Sequence, residues 1–362
     1  MTVVSLLAPF LIAAAVSALA TPLVARFART IEAVDKPDER KVNRRDGIPL
    51  LGGAAVALGF YVGLAVAILL SGEGGIFRNH IEGLLLGGLL LVALGVVDDR
   101  WPLDARPKLV IQVLAASFAI AYGFRIDHVT DPIWTQHWLL PLPVMWAATL
   151  LWIVGITNSM NLLDGLDGLA TGVGLIITAT LTWICFQSDQ PVGAAIGLSF
   201  MGALVGFLPF NFSPARIFLG DTGALLIGFT LALLALEGYR KLAVLTFVVP
   251  LLALAVPLMD TVLSIYRRLR RNQPIMSPDR LHMHHRLLEF QGSHRSAVLS
   301  IYFLTACFCI IAVSFTNLEG SAALIFLVLV LVLTLRLLRN LGFFDVEDPD
   351  TASQDATGEE TP

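Results

Sequence analysis

The chain has 362 residues, is 56% hydrophobic and only 14% charged, whereas a soluble globular domain carries about a quarter charged residues. This composition excludes a water-soluble enzyme. The three cysteines (Cys185, Cys307 and Cys309) all lie inside apolar runs, which excludes a disulfide framework or a Cys-based metal site. The net charge of −4 hides a division. Seven of the 28 acids sit in the base-free tail 345–362, leaving a body with 24 bases against 21 acids. Residues 1–340 are read as one integral membrane domain, and 341–362 as a disordered, acidic cytoplasmic tail.

Apolar stretches long enough to cross a bilayer recur at 3–25, 49–71, 80–97, 108–123, 138–156, 168–186, 191–209, 222–238, 242–264, 297–315 and 321–338. They predict an all-α, polytopic membrane protein with about eleven transmembrane helices. The first stretch contains Ala18-Leu19-Ala20, a pattern found at cleavage sites, but no positive residue precedes it and Arg26 and Arg29 follow. It therefore reads as an uncleaved helix with its N-terminus outside. On that topology the cytoplasmic connections and tail hold 20 Lys and Arg residues, and the outside ones only Arg78, Arg125, Arg240 and Lys241. Such an asymmetry fixes orientation by the positive-inside rule. The outside segment 124–137 and its flank bring Trp134 and Trp138, expected as interfacial anchors.

The polar clusters fall on the cytoplasmic connections. The first holds Asp35-Lys36-Pro37, Arg40-Lys41 and Arg44-Arg45 before Pro49-Leu-Leu-Gly-Gly53; its bases either bind an anionic head group or only set topology. Asp98-Asp99 ends the third span, with Lys108 ten residues after Asp98. Adjacent carboxylates repel one another and a divalent cation relieves the repulsion, although a solvated helix end is an equally simple explanation.

The densest cluster is Asn158-x-x-Asn161-x-x-Asp164-Gly165-x-Asp167-Gly168, wedged between apolar runs. Carboxylates there need a cation, a substrate or a water-filled cavity. On one helix these side chains form a stripe about 13 Å long, which suits an extended ligand. The competing explanation is a polar hinge between two membrane helices. Further on, Asn211 to Gly223 contains Arg216, Phe218, Gly220, Asp221 and Gly223 ahead of the eighth span. Asp221 is either a helix N-cap or part of a metal-bridged phosphate site, and Phe218 either stacks on a base or faces lipid. The loop 265–296 carries Pro278-Asp279-Arg280-Leu-His282-Met-His284-His285-Arg286. With Arg280 and Arg286 alongside, it reads as a diphosphate-binding lid more than a zinc site, whose usual helical His spacing and third outside ligand are missing. The competing explanation is a solvated loop. One-sided polarity suits an enzyme joining a cytosolic substrate to a lipid better than a transporter, which needs access from both faces.

In this order the motifs resemble those of the polyprenyl-phosphate N-acetylhexosamine-1-phosphate transferases. Within that superfamily they are most similar to the bacterial undecaprenyl-phosphate N-acetylglucosaminyl-1-phosphate transferases. The resemblance covers residues 1–340. The chain has His282-Met-His284-His285 where the muramoyl-pentapeptide branch has three consecutive histidines, and Ala224 where a Ser is common. The resemblance implies transfer of GlcNAc-1-phosphate from UDP-GlcNAc to undecaprenyl phosphate at the cytoplasmic face of a bacterial inner membrane, with Mg²⁺ or Mn²⁺ required. Other UDP-N-acetyl sugars (FucNAc, QuiNAc or MurNAc-pentapeptide) are the runner-up donors, and a lipid-linked sugar transporter is the rival class.

By resemblance, Asp98, Asp99 and Asp221 are the catalytic and metal-holding residues. Asn158, Asn161, Asp164, Asp167, Asn211, Phe218, Arg280, His282, His284 and His285 bind the donor, and Lys36, Lys41 and Lys108 the acceptor phosphate. Membrane lipid is an expected partner, a homodimer is compatible, and no nucleic acid is expected.

Overall fold

The computed structural model describes residues 3–35, 47–71, 76–130, 137–239, 248–270, 273, 282–283, 286–288, 292–316, 318 and 320–340. The expected ligands Lys36, Lys41, Arg280, His284 and His285, the anchor Trp134 and the tail 341–362 lie outside them.

Helices dominate: α1 (Val3–Thr30), α2 (Gly52–Ser71), α3 (Ile76–Arg100), α4 (Ala105–Ala121), α5 (Leu142–Leu163), α6 (Leu169–Gln187), α7 (Pro191–Asn211), α8 (Gly220–Tyr239), α9 (Val248–Ala253), α10 (Ala255–Arg270), α11 (His294–Phe315) and α12 (Gly320–Asn340). Hydrocarbon offers backbone groups no partner, so apolar runs satisfy them internally as helices. Among the described residues, eight helices (α1–α3, α5–α8 and α11) are long and apolar enough to cross a membrane. The chain is a polytopic membrane protein.

Two elements differ from expectation. Residues 128–130 and 137–139 form a two-stranded antiparallel ladder, pairing His128 with Leu139 and Thr130 with His137. The stretch is too polar for the bilayer core, and Val129, Thr130 and Trp138 suit strands. Trp138 is 63% exposed. The expected span 242–264 is divided in its described part: α9 stops at Ala253 and α10 restarts at Ala255. Pro257 has no N–H for the Ala253 carbonyl and its ring crowds that carbonyl, which interrupts the helix there.

α8 is the central post, buried at every position from Thr222 to Gly238. A helix apolar all round belongs inside a protein, and α2, α3, α5 and α6 surround this one. Close approach depends on glycine at two places. A Cβ on Gly53 would meet the backbone of Gly223, and one on Gly95 the backbone of Thr222. These contacts bring α2 and α3 directly against the first turn of α8. At its other end the buried pair His80–Glu237, 3.5 Å apart, ties the start of α3 to the last turns of α8.

Because a backbone contact cannot rotate away, Gly95→Ala should overpack the α3–α8 crossing and cost about 1–3 kcal/mol. Gly155→Ala, where a Cβ meets nothing within 4 Å, serves as the control. Thermal unfolding in detergent should show a Tm several degrees lower for Gly95→Ala alone.

Candidate active site

The helix ends at one end of the bundle carry the polar motifs. α3 finishes in Asp98-Asp99-Arg100, α4 carries Lys108 in its first turn, Asn161 and Asp164 stand at the C-terminal end of α5, and α8 begins with Gly220-Asp221-Thr222. The Lys108 ammonium donates to Asp98 Oδ2 at 2.5 Å and to Asp221 Oδ2 at 2.9 Å. Asp98 Oδ1 also accepts the Leu103 N–H at 2.7 Å, which fixes the turn between α3 and α4. The Asn161 amide lies close beside the Asp221 carboxylate. Three motifs far apart in sequence therefore meet around one lysine.

Asp99 does something different from its neighbour. Its Oδ1 accepts the Asp221 N–H at 2.8 Å. Its Oδ2 accepts the Thr222 N–H at 3.2 Å and the Thr222 hydroxyl at 2.6 Å. A carboxylate at the C-terminal end of α3 opposes that helix's dipole, but at the N-terminus of α8 it complements the dipole and satisfies orphan N–H groups. Gly220, with φ of +71°, turns the chain so that the carboxylate lies where a side chain would stand.

Asp164 caps the C-terminus of α5. Burial, then the negative charges of Asp221, Asp99 and Asp167, hold its carboxyl well above the usual carboxylate range. The expected stripe on a single helix is thus bent: α5 stops at Leu163, because Gly165 and Gly168 interrupt it, and Asp164 and Asp167 lie on the turn beyond.

Several expected donor ligands hold other parts of the protein. The Asn158 amide donates to Gln112 Oε1 at 2.6 Å and accepts from Gln112 Nε2 at 3.3 Å, joining α5 to α4. Buried Asn211 accepts from the Thr171 hydroxyl at 2.7 Å and donates to the Ile217 carbonyl at 3.1 Å. Asp167 Oδ2 accepts the Ala215 N–H at 3.0 Å. Together these bonds shape the loop 212–219. Phe218 is half-buried and zipped by its backbone to Pro49 and Gly52, so Pro49-Leu-Leu-Gly-Gly53 is a docking strip for the loop before α8. The same strip reaches back through Leu50 to Ala33 and through Ile48 to Asp35. His282 meets Asp260 at 3.0 Å. Gln112, Thr222 and Asp260 were not expected. Gln112 lies four residues after Lys108, on the same helix face, and Asp260 is a lone acid in an apolar run; both signals were available.

Chemically, the Asp98–Asp221 pair offers oxygen donors of the kind Mg²⁺ takes. Among the described residues no three His, Cys, Asp or Glu side chains gather into a ready-made metal cage. Two carboxylates still fit an ion whose remaining ligands are water and substrate phosphate.

Comparisons with known proteins point to one family. Residues 81–239, from α3 to the end of α8, match glycosyl transferase family 4. The chain is 37% identical over 294 residues to a probable undecaprenyl-phosphate N-acetylglucosaminyl 1-phosphate transferase of Bacillus subtilis, covering 81% of this chain and 80% of that one. The chain belongs to the glycosyl transferase family 4 enzymes. Its similarity extends to a decaprenyl-phosphate N-acetylglucosaminephosphotransferase of Mycobacterium leprae (35% over 322 residues, covering 81% of this chain and 79% of that one). It is 29% identical over 294 residues to the undecaprenyl-phosphate alpha-N-acetylglucosaminyl 1-phosphate transferase of Escherichia coli K12, covering 80% and 78%. In this family 4 transferase the matched region contains every residue of the Asp98–Lys108–Asp221 cluster.

The two adjacent aspartates should separate by experiment. Thr222→Val and Asp99→Asn both weaken the cap on α8, a loss of about 1–2 kcal/mol. Both should lower Tm in detergent and activity together. Asp98→Asn should leave Tm within a degree or two while activity falls; a Tm loss equal to that of Asp99→Asn would contradict the division.

Proposed function

We propose that the chain transfers N-acetylglucosamine 1-phosphate from UDP-GlcNAc to undecaprenyl phosphate, releasing UMP, as an initiating step of a cell-envelope polysaccharide. The meeting of Asp98, Lys108 and Asp221 at the N-terminus of α8 carries this reading, together with similarity to relatives named for that activity. The proposed topology has eleven spans, the N-terminus outside and the site at the cytoplasmic face of the bacterial inner membrane. Its support is the 20-to-4 distribution of Lys and Arg.

The second pKa of a phosphate monoester lies at about 6, so the lipid nucleophile is already mostly ionised at neutral pH. An oxygen of that phosphate attacks the sugar-linked phosphorus of the donor. The bond between this phosphorus and the bridging oxygen breaks, and UMP leaves with that oxygen. Little deprotonation is needed; the larger task is bringing two anionic phosphates together. A divalent cation, Mg²⁺ or Mn²⁺, held by Asp98 and Asp221 would neutralise the diphosphate. Lys108 supplies positive charge on the acceptor side. Asp99 keeps Asp221 at the head of α8, and Asn161 orients its carboxylate. Asp164, kept protonated more readily than an ordinary carboxyl, is suited to donate a hydrogen bond to the donor rather than repel it.

Purified protein with undecaprenyl phosphate, Mg²⁺ and UDP-GlcNAc should release UMP, and chelation should stop it. Asp98→Asn and Asp221→Asn should each lower turnover at least about 100-fold without loss of fold. Near-normal turnover in Asp221→Asn would remove the metal assignment. A panel of UDP-sugars tests the donor. A donor made chiral at the transferred phosphorus should give inverted product if attack is direct.

A further inference from the structure

α10 carries its polarity inward. Its buried residues, among them Asp260, Ser264, Arg267 and Arg268, follow helical spacing, while Val262, Tyr266 and Leu269 are exposed on the other face. An apolar face turned outward suits lipid, and the inward polar face is then given to protein or ligand contacts. Asp260 is 2% exposed, and both its oxygens serve one short segment: Oδ2 faces His282 Nδ1 at 3.0 Å and Oδ1 accepts the Met283 N–H at 2.7 Å. His282 and Met283 are themselves buried.

A carboxylate only accepts hydrogen bonds. The ring of His282 therefore carries a proton on Nδ1 and keeps Nε2 on the side away from Asp260. An apolar residue of similar size would pack α10 at lower cost than a buried acid. What the acid adds is a fixed position for the backbone and ring of one segment. That segment belongs to Pro278-Asp279-Arg280-Leu-His282-Met-His284-His285, and α10 packs along α5, whose C-terminal end carries Asn161 and Asp164.

We propose that Asp260 is a positioning residue for the donor: it sets the tautomer and orientation of His282 and anchors the backbone at Met283, so that the His282 ring meets the donor diphosphate correctly. The proposal rests on the donor reading above for its kinetics but not for its structural half.

Two measurements keep these apart. Hydrogen–deuterium exchange on the substrate-free protein should show the amides around Met283 exchanging at least about tenfold faster in Asp260→Ala, with α8 amides unchanged; equal exchange would overturn the anchoring. In steady-state assays of the wild type, UMP release must first be seen, or the donor reading itself fails. Asp260→Asn keeps an acceptor for Met283 but presents an N–H₂ to His282 and reverses its tautomer. It should then raise KM for the UDP-sugar or lower kcat/KM for it by about 10- to 100-fold, leaving KM for the polyprenyl phosphate unchanged, and Asp260→Glu should recover part of the loss. Adding Asp260→Asn to His282→Ala should cost nothing more. A purely structural role would lower Tm and the yield of folded enzyme while leaving both KM values unchanged, and that result would overturn the positioning.

Discussion

A buried helix must have its first N–H groups satisfied, and the whole site follows from how α8 meets that requirement. An N-terminus packed between α2 and α3 is largely shielded from water, and a side chain supplies the acceptors. Asp99 supplies them from another helix, more than 120 residues earlier in the chain. Gly95 and Gly53 let the backbones come close enough, and Gly220 leaves room for the carboxylate. Because the Asp221 N–H is part of that bond, the direction of the Asp221 side chain is set by the same contact that holds the bundle together. Stability and geometry of the site are therefore coupled at one point.

The second consequence is electrostatic. Asp98, Asp99, Asp164 and Asp221 are drawn together with one described lysine among them. Asp99 is compensated by the helix dipole and N–H groups, and burial with neighbouring negative charge holds the Asp164 carboxyl well above the usual carboxylate range. Asp98 and Asp221 remain, converging on Lys108. A pair of carboxylates beside one ammonium repels a diphosphate and attracts a divalent cation. The metal proposed above would relieve the repulsion between such a site and an anionic substrate.

Much of this was legible in the sequence, and the failures have physical causes. The apolar runs located the helices because in hydrocarbon they have few other conformations open to them. Asp98, Asp221 and Asn161 were legible as groups that must find partners, because charged and amide groups between membrane helices demand them. What could not be read was which atoms the partners would use. Asn158, Asn211 and Asp167 have the same chemistry as ligands, yet their groups are engaged by Gln112, Thr171 and the Ala215 N–H. A motif shows that a polar group is needed, not whether it faces a substrate or a neighbouring helix. Asp99 illustrates the limit best: adjacent to Asp98 and identical in type, it differs only because successive residues on a helix point about 100° apart. The hairpin and the division at Leu254 were missed because apolar content carries no information on backbone continuity, although Pro257 did.

The two sides of the site are built differently, and that difference bears on turnover. α3, α4, α5 and α8 are joined by direct bonds between their ends, so the carboxylates that would face the metal have little freedom to move relative to one another. α10, by contrast, follows a helix break after α9 and is joined to His282 and Met283 through Asp260. On the reaction proposed above, a nucleotide has to enter and its product to leave while the carboxylates stay fixed. Carboxylates tied to the central post suit the second requirement, and a helix set off by a break suits the first.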